Sequence, residues 1–146
     1  MEHSLKDIKW GKIILSSVSI YIISFIAITI IITIYAFILG VEVRGEPDQN
    51  EINNFASSIS NWLIPLIEIL LIFLSTSLLF KKEKNNILIY GLLLGVFVGL
   101  LNIITTLFFS NQFEYSDLFI LFILSICGYF GGLILERFIV KKGKTA

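Results

Sequence analysis

Glu68 is the only ionisable side chain set deep within a long apolar run of this sequence. A charge there costs several kcal/mol by insertion scales, so an acid in such a place needs an explanation. Pro65 stands three residues earlier. In a helix a proline removes the hydrogen bond to the carbonyl four residues back, here Asn61, and can kink the helix and make room beside the carboxyl. Counting 1.5 Å per residue from the basic residues that flank the runs puts Glu68 about 20 Å from one boundary. Ser24, Asn102 and Ser125, one from each of the other runs, fall at a similar depth of ~18–24 Å. One polar residue from each helix could therefore meet in a layer. With no basic residue at that depth, the neutral acid hydrogen-bonded to Asn102 is the expected resting state. Such a group could carry a proton or exchange it for a cationic substrate. In the blander role it would hold helices together, as intramembrane Asn and Gln do.

Enzymatic chemistry has little to draw on. There is no second buried acid for acid–base work, no Ser–His or Cys–His pair and no phosphate loop. His3 and Cys127 are each the only residue of their type, which removes His/Cys metal sites and any intrachain disulfide. Cys127, within the fourth run, reads as a small buried hydrophobe. The acids Glu42, Glu46, Asp48 and Glu51 are not spaced as a calcium loop and read as a solvated rim. No enzymatic activity, metal or cofactor is expected.

The elements that must position these residues are four apolar runs, with spans at about 13–39, 62–80, 87–109 and 118–140. Each reaches the ~20 residues needed to cross a bilayer, and the first is long enough to tilt or protrude. Its length also separates it from the 7–15-residue core of a signal peptide, so it reads as an uncleaved anchor. Of the 146 residues, 56% are hydrophobic and the mean hydropathy is +0.90, too little polar surface to solvate a globule. Ten of the eleven basic residues flank the runs on one side: Lys6, Lys9, Lys12, Lys81, Lys82, Lys84, Arg137, Lys141, Lys142 and Lys144. Only Arg44 falls on the other. The excess of Lys and Arg marks the cytoplasmic side, so both termini are expected there, in a multi-pass protein of the cell membrane. The basic inner rim would meet anionic lipid, and no run of basic residues suggests nucleic acid.

The connections at 81–86 and 110–117 are too short for a domain and predict antiparallel neighbours, spans two with three and three with four. Before span two, Pro47, Asp48 and Glu51 predict a helix start with Asp48 as N-cap and Glu51 closing a capping box. Ile52, Phe55, Ala56, Ile59 and Trp62 recur at helical spacing and predict an amphipathic lead-in, lying on the outer surface or extending span two. Gly91, Gly95 and Gly99 share one face of span three, and Gly128 and Gly132 with Ser125 one face of span four. Small residues let membrane helices approach closely, and the two stripes match in depth within an antiparallel hairpin. The same stripes could instead make a homodimer. Ser16, Ser17 and Ser19 lie at the depth of Ser75, Thr76 and Ser77, with local bonding to the i−4 carbonyl as the simplest use of their hydroxyls. Tyr90 and Tyr115 read as interfacial rings, Tyr21 and Tyr129 as packed between helices.

The fold class is thus an all-α, four-transmembrane-helix bundle forming one domain over residues 1–146. The entry Asp7-Ile8-Lys9-Trp10-Gly11-Lys12, the loop ending Arg44-Gly45-Glu46-Pro47-Asp48 and the glycine stripe of span three resemble small four-span prokaryotic integral membrane proteins of unknown function. That resemblance implies architecture and no activity. The small multidrug exporters also have four spans and one essential embedded Glu, but theirs is in the first span, whereas Glu68 is in the second. The leading expectation is a non-enzymatic packing or interaction component, partnered by the bilayer and by a second copy or a larger membrane protein. The alternative is a proton-coupled small transporter or channel component using Glu68.

Overall fold

A computed structural model describes residues 8–79, 86–110 and 115–143. Lys6, Lys81, Lys82, Lys84 and Lys144 lie outside them, as do most of the two short connections. The described residues form four helices and no strand: α1 Trp10–Val43, α2 Gln49–Leu79, α3 Ile87–Ser110 and α4 Tyr115–Gly143. All four are long and apolar enough to cross a membrane. At 1.5 Å per residue α1 is about 51 Å long, against a hydrocarbon layer of ~30 Å.

The helix between α1 and the second predicted span is continuous with it: α2 begins at Gln49 rather than at residue 62. The reversal before it is tight. Arg44 adopts the left-handed conformation, φ 51° and ψ 35°, and Gly45 N–H donates to the Gly40 carbonyl at 3.3 Å while Arg44 N–H donates to Val41 at 3.4 Å. These two bonds close the last turn of α1 in the Schellman pattern. Asp48 Oδ1 then accepts the Asn50 N–H at 2.9 Å, satisfying one of the free donors at the start of α2. Glu51 is drawn elsewhere: its Oε1 accepts the Tyr35 hydroxyl at 3.4 Å, and the Tyr35 ring stacks on Phe55 at 3.7 Å and 14°. The first turns of α2 are thereby held to the last turns of α1. Replacing Asp48 with Ala should cost about 1 kcal/mol, seen as faster amide exchange at Asn50–Asn53 with the rest of the bundle unchanged.

α3 and α4 share the broadest contact, α1 and α4 each pack on both α2 and α3, and α1 does not touch α4 among the described residues. The α2–α3 contact is the narrowest, so the short connection between these helices does not make them the closest pair. Ile13, Ile20, Ile72, Ile87, Leu94, Val98 and Leu124 form the core. Tyr90 joins it, fully buried, and its hydroxyl accepts the Lys9 N–H at 3.1 Å where the chain enters α1. Tyr21 packs as expected and donates to Thr105 Oγ1 at 2.8 Å. Tyr129 does not, and stands 40% exposed.

Polarity runs inside out. Glu68, Thr76, Ser17, Ser24 and Ser125 are buried, while Leu15, Phe25, Phe37, Phe108, Phe119 and Phe122 are exposed. Helices with an apolar outer surface and a partly polar interior fit a multi-pass membrane protein, whose solvent is lipid.

Candidate functional site

Glu68 is fully buried, with 0% of its surface exposed. Asn102 Nδ2, on α3, donates to Glu68 Oε2 at 2.7 Å. The other carboxyl oxygen, Oε1, is buried and has no hydrogen-bond partner among the described residues. A buried polar atom left in this state costs about 1–3 kcal/mol, so the carboxyl is only half satisfied. The two side chains meet because an antiparallel α2 and α3 bring residues of equal depth together.

Ser24 and Ser125 behave differently. Ser24 Oγ donates to the Ile20 carbonyl at 3.0 Å and Ser125 Oγ to the Leu121 carbonyl at 2.7 Å. Both hydroxyls are spent on their own helices, the usual resort of serine in a helix that water does not reach. Hydrogen bonds therefore do not link a four-residue layer, and the expected constellation reduces to the Glu68–Asn102 pair.

A cleft of about 500 Å³ leads to that pair from the end of the bundle where α3 finishes and α4 begins. Asn102 and Thr106 line it from α3, Ser116, Asp117 and Ile120 from α4, and Ser60, Asn61, Ile64 and Pro65 from α2. Glu68 is not among these wall residues, and Asn102 stands between the cleft and the carboxyl. Pro65 has no N–H to give to the Asn61 carbonyl, so this oxygen lacks its helical donor within a turn that borders the cleft. Among the described residues the walls thus combine one acid, two carboxamides and several hydroxyls with no basic side chain, a lining that suits a cation better than an anion.

The sequence pointed to Glu68, Asn102 and Pro65, the last two of which line the cleft, but not to its other wall residues. A partial signal was present. Asn61, Pro65 and Glu68 follow one another at helical spacing, as do Asn102 and Thr106, each pair or triplet leading from the membrane edge toward the acid. The contribution of α4 had no such signal. No group of three His, Cys, Asp or Glu side chains placed to hold a metal occurs among the described residues.

The five glycines named from the sequence lie along the α3–α4 contact. A Cβ built on Gly91 would overlap the Gly128 carbonyl oxygen, and one on Gly128 the Gly91 oxygen. A Cβ on Gly95 would overlap the Leu124 oxygen and come within 2.7 Å of Ser125 Cα, on Gly99 within 2.8 Å of Leu121 Cα, and on Gly132 within 2.9 Å of the Ile87 oxygen. Comparison with protein-family models, with curated proteins and with solved structures gave no match.

Proposed function

We propose that this chain is a non-enzymatic protein of the cytoplasmic membrane, with both termini inside, in which Glu68 and Asn102 bind a proton or a small cation. It would act as a small carrier or as part of a channel. One observation carries the reading: a fully buried carboxyl has one oxygen held by Asn102 and the other unpartnered, behind a polar cleft without cationic side chains. Ionisable residues within membrane spans are rare and mark ion or substrate pathways and proton relays. With the basic residues inside, the cleft opens to the outer face, and the first turns of α2 form the amphipathic lead-in beside its mouth.

The competing expectation, a component that joins partners through its glycine faces, has less to stand on. Those faces are turned toward each other within the α3–α4 pair, where they are not offered to a second molecule.

Infrared difference spectroscopy of the reconstituted protein tests the proposal. A carboxyl band that responds to a pH jump or to added sodium, and disappears in Glu68→Gln, is the expected result. A band indifferent to both conditions would leave Glu68 as a structural element and overturn the assignment. Because Gln still hydrogen-bonds to Asn102, the variant should assemble normally, which separates lost binding from lost folding.

A further inference from the structure

We propose that the groove between the start of α1 and the end of α2 binds a phospholipid with an anionic headgroup. The groove holds about 320 Å³ and is a different site from the Glu68 cleft, with which it shares no wall residue. Its walls run from Lys12 through Ser16 to Ile23 on α1, with Ser75 and Leu71 opposite on α2.

Two features identify the ligand. The first is a pair of hydroxyls with unmet bonding capacity. Neighbouring Ser17, Ser19, Thr76 and Ser77 all return their hydroxyls to the carbonyl four residues back. Ser16 and Ser75 make no hydrogen bond among the described residues, although Ser16 is only 8% exposed. Donors left so in an apolar setting favour an acceptor-rich ligand, and a phosphodiester supplies anionic oxygens to both. The second feature is the direction in which polarity falls. Lys12 and Ser16 stand near the helix end, while Ile23 lies about 16 Å beyond Lys12 and about 10 Å beyond Ser16 along α1. A lipid lies in its leaflet in the same sense, with its charged phosphate at the membrane surface and its methylenes toward the middle. Lys12 favours a headgroup of net negative charge, the hydroxyls hold the phosphate, and Ile23 and Leu71 line the path of the first acyl methylenes.

The test uses the full-length protein, delipidated in detergent and returned to nanodiscs of phosphatidylglycerol and phosphatidylcholine in equal parts, with retained lipid counted by native mass spectrometry. Phosphatidylglycerol should be retained in preference. Lys12→Gln, at an exposed position, should reduce that preference about fivefold. Ser16→Leu keeps the charge but fills the groove, and should abolish retention of both lipids. Equal retention of the two lipids by the unaltered protein, or an unchanged preference in Lys12→Gln, would overturn the assignment. Displacement of the lipid by millimolar inorganic phosphate would also overturn it, by showing an anion site that does not need acyl chains.

Discussion

Gly91→Ala and Gly128→Ala are expected to destabilise the bundle by about 1–3 kcal/mol each, and leucine at either position to prevent the α3–α4 pair from forming in its present geometry. Neither new Cβ can be accommodated by a rotamer change, because it meets the backbone carbonyl of the opposite helix. The helices must therefore move apart, and between membrane helices there is no hydrophobic force to offset the dispersion lost over the whole contact. The same substitution should have graded effects elsewhere. At Gly99 the obstruction is the Leu121 backbone at 2.8 Å together with its side chain, which ranks Gly99 with Gly91 and Gly128, whereas at Gly131 it is the edge of the Phe73 ring at 3.1 Å, which can yield. Gly11 has nothing within 4 Å, so Gly11→Ala should gain up to ~1 kcal/mol of helix propensity. Reversible unfolding in mixed micelles would rank the variants. A flat ranking would refute the close backbone contact. If instead the Gly91 and Gly128 variants kept their unfolding midpoint and lost only a concentration-dependent dimer, the glycines would belong to an interface between copies.

How much of this was legible in advance depended on whether a feature is set by depth or by direction. Depth follows from counting residues along a helix, so the meeting of Glu68 with Asn102 and the matched levels of the glycine stripes could be expected from the sequence. Direction around the helix was harder to read, because these helices are apolar on nearly every face and lack the polar stripe that orients a helix in water. Ser24 and Ser125 share the depth of Glu68, yet their hydroxyls serve their own backbones. Tyr90 has the depth of an interfacial ring but faces the core, since the residues that lead into α1 cover it. The cleft was hidden for a further reason. It is formed by three helices together, and the first turn of α4 contributes Ser116 and Asp117, which in the sequence look like ordinary residues of a polar connection.

At the Glu68–Asn102 pair the second substitution should reverse most of the cost of the first. Asn102→Leu removes the only donor to Glu68 Oε2 among the described residues and leaves a fully buried carboxyl with neither oxygen bonded to any of them. The cost should be about 1–3 kcal/mol, with membrane hydrogen bonds lying toward the lower end. Glu68→Met alone takes away the unsatisfied Oε1 as well as the bond, and should cost less. Glu68→Met combined with Asn102→Leu removes both polar groups, and should be more stable than Asn102→Leu by at least ~1 kcal/mol, because replacing both members of a buried pair by apolar groups of similar size is close to neutral. Stability alone does not separate a structural pair from a binding site. Reactivity does, since Asn102 stands between the cleft and the carboxyl. A hydrophobic carbodiimide should label Glu68 slowly in the unaltered protein and several-fold faster in Asn102→Ala, where the shorter side chain opens the path from the cleft. Asn102→Leu should be less reactive than Asn102→Ala, because leucine refills the space without restoring the bond. If labelling were equal in all three proteins, the reagent would be reaching Glu68 from lipid, and the cleft would not be the route by which a proton or cation arrives.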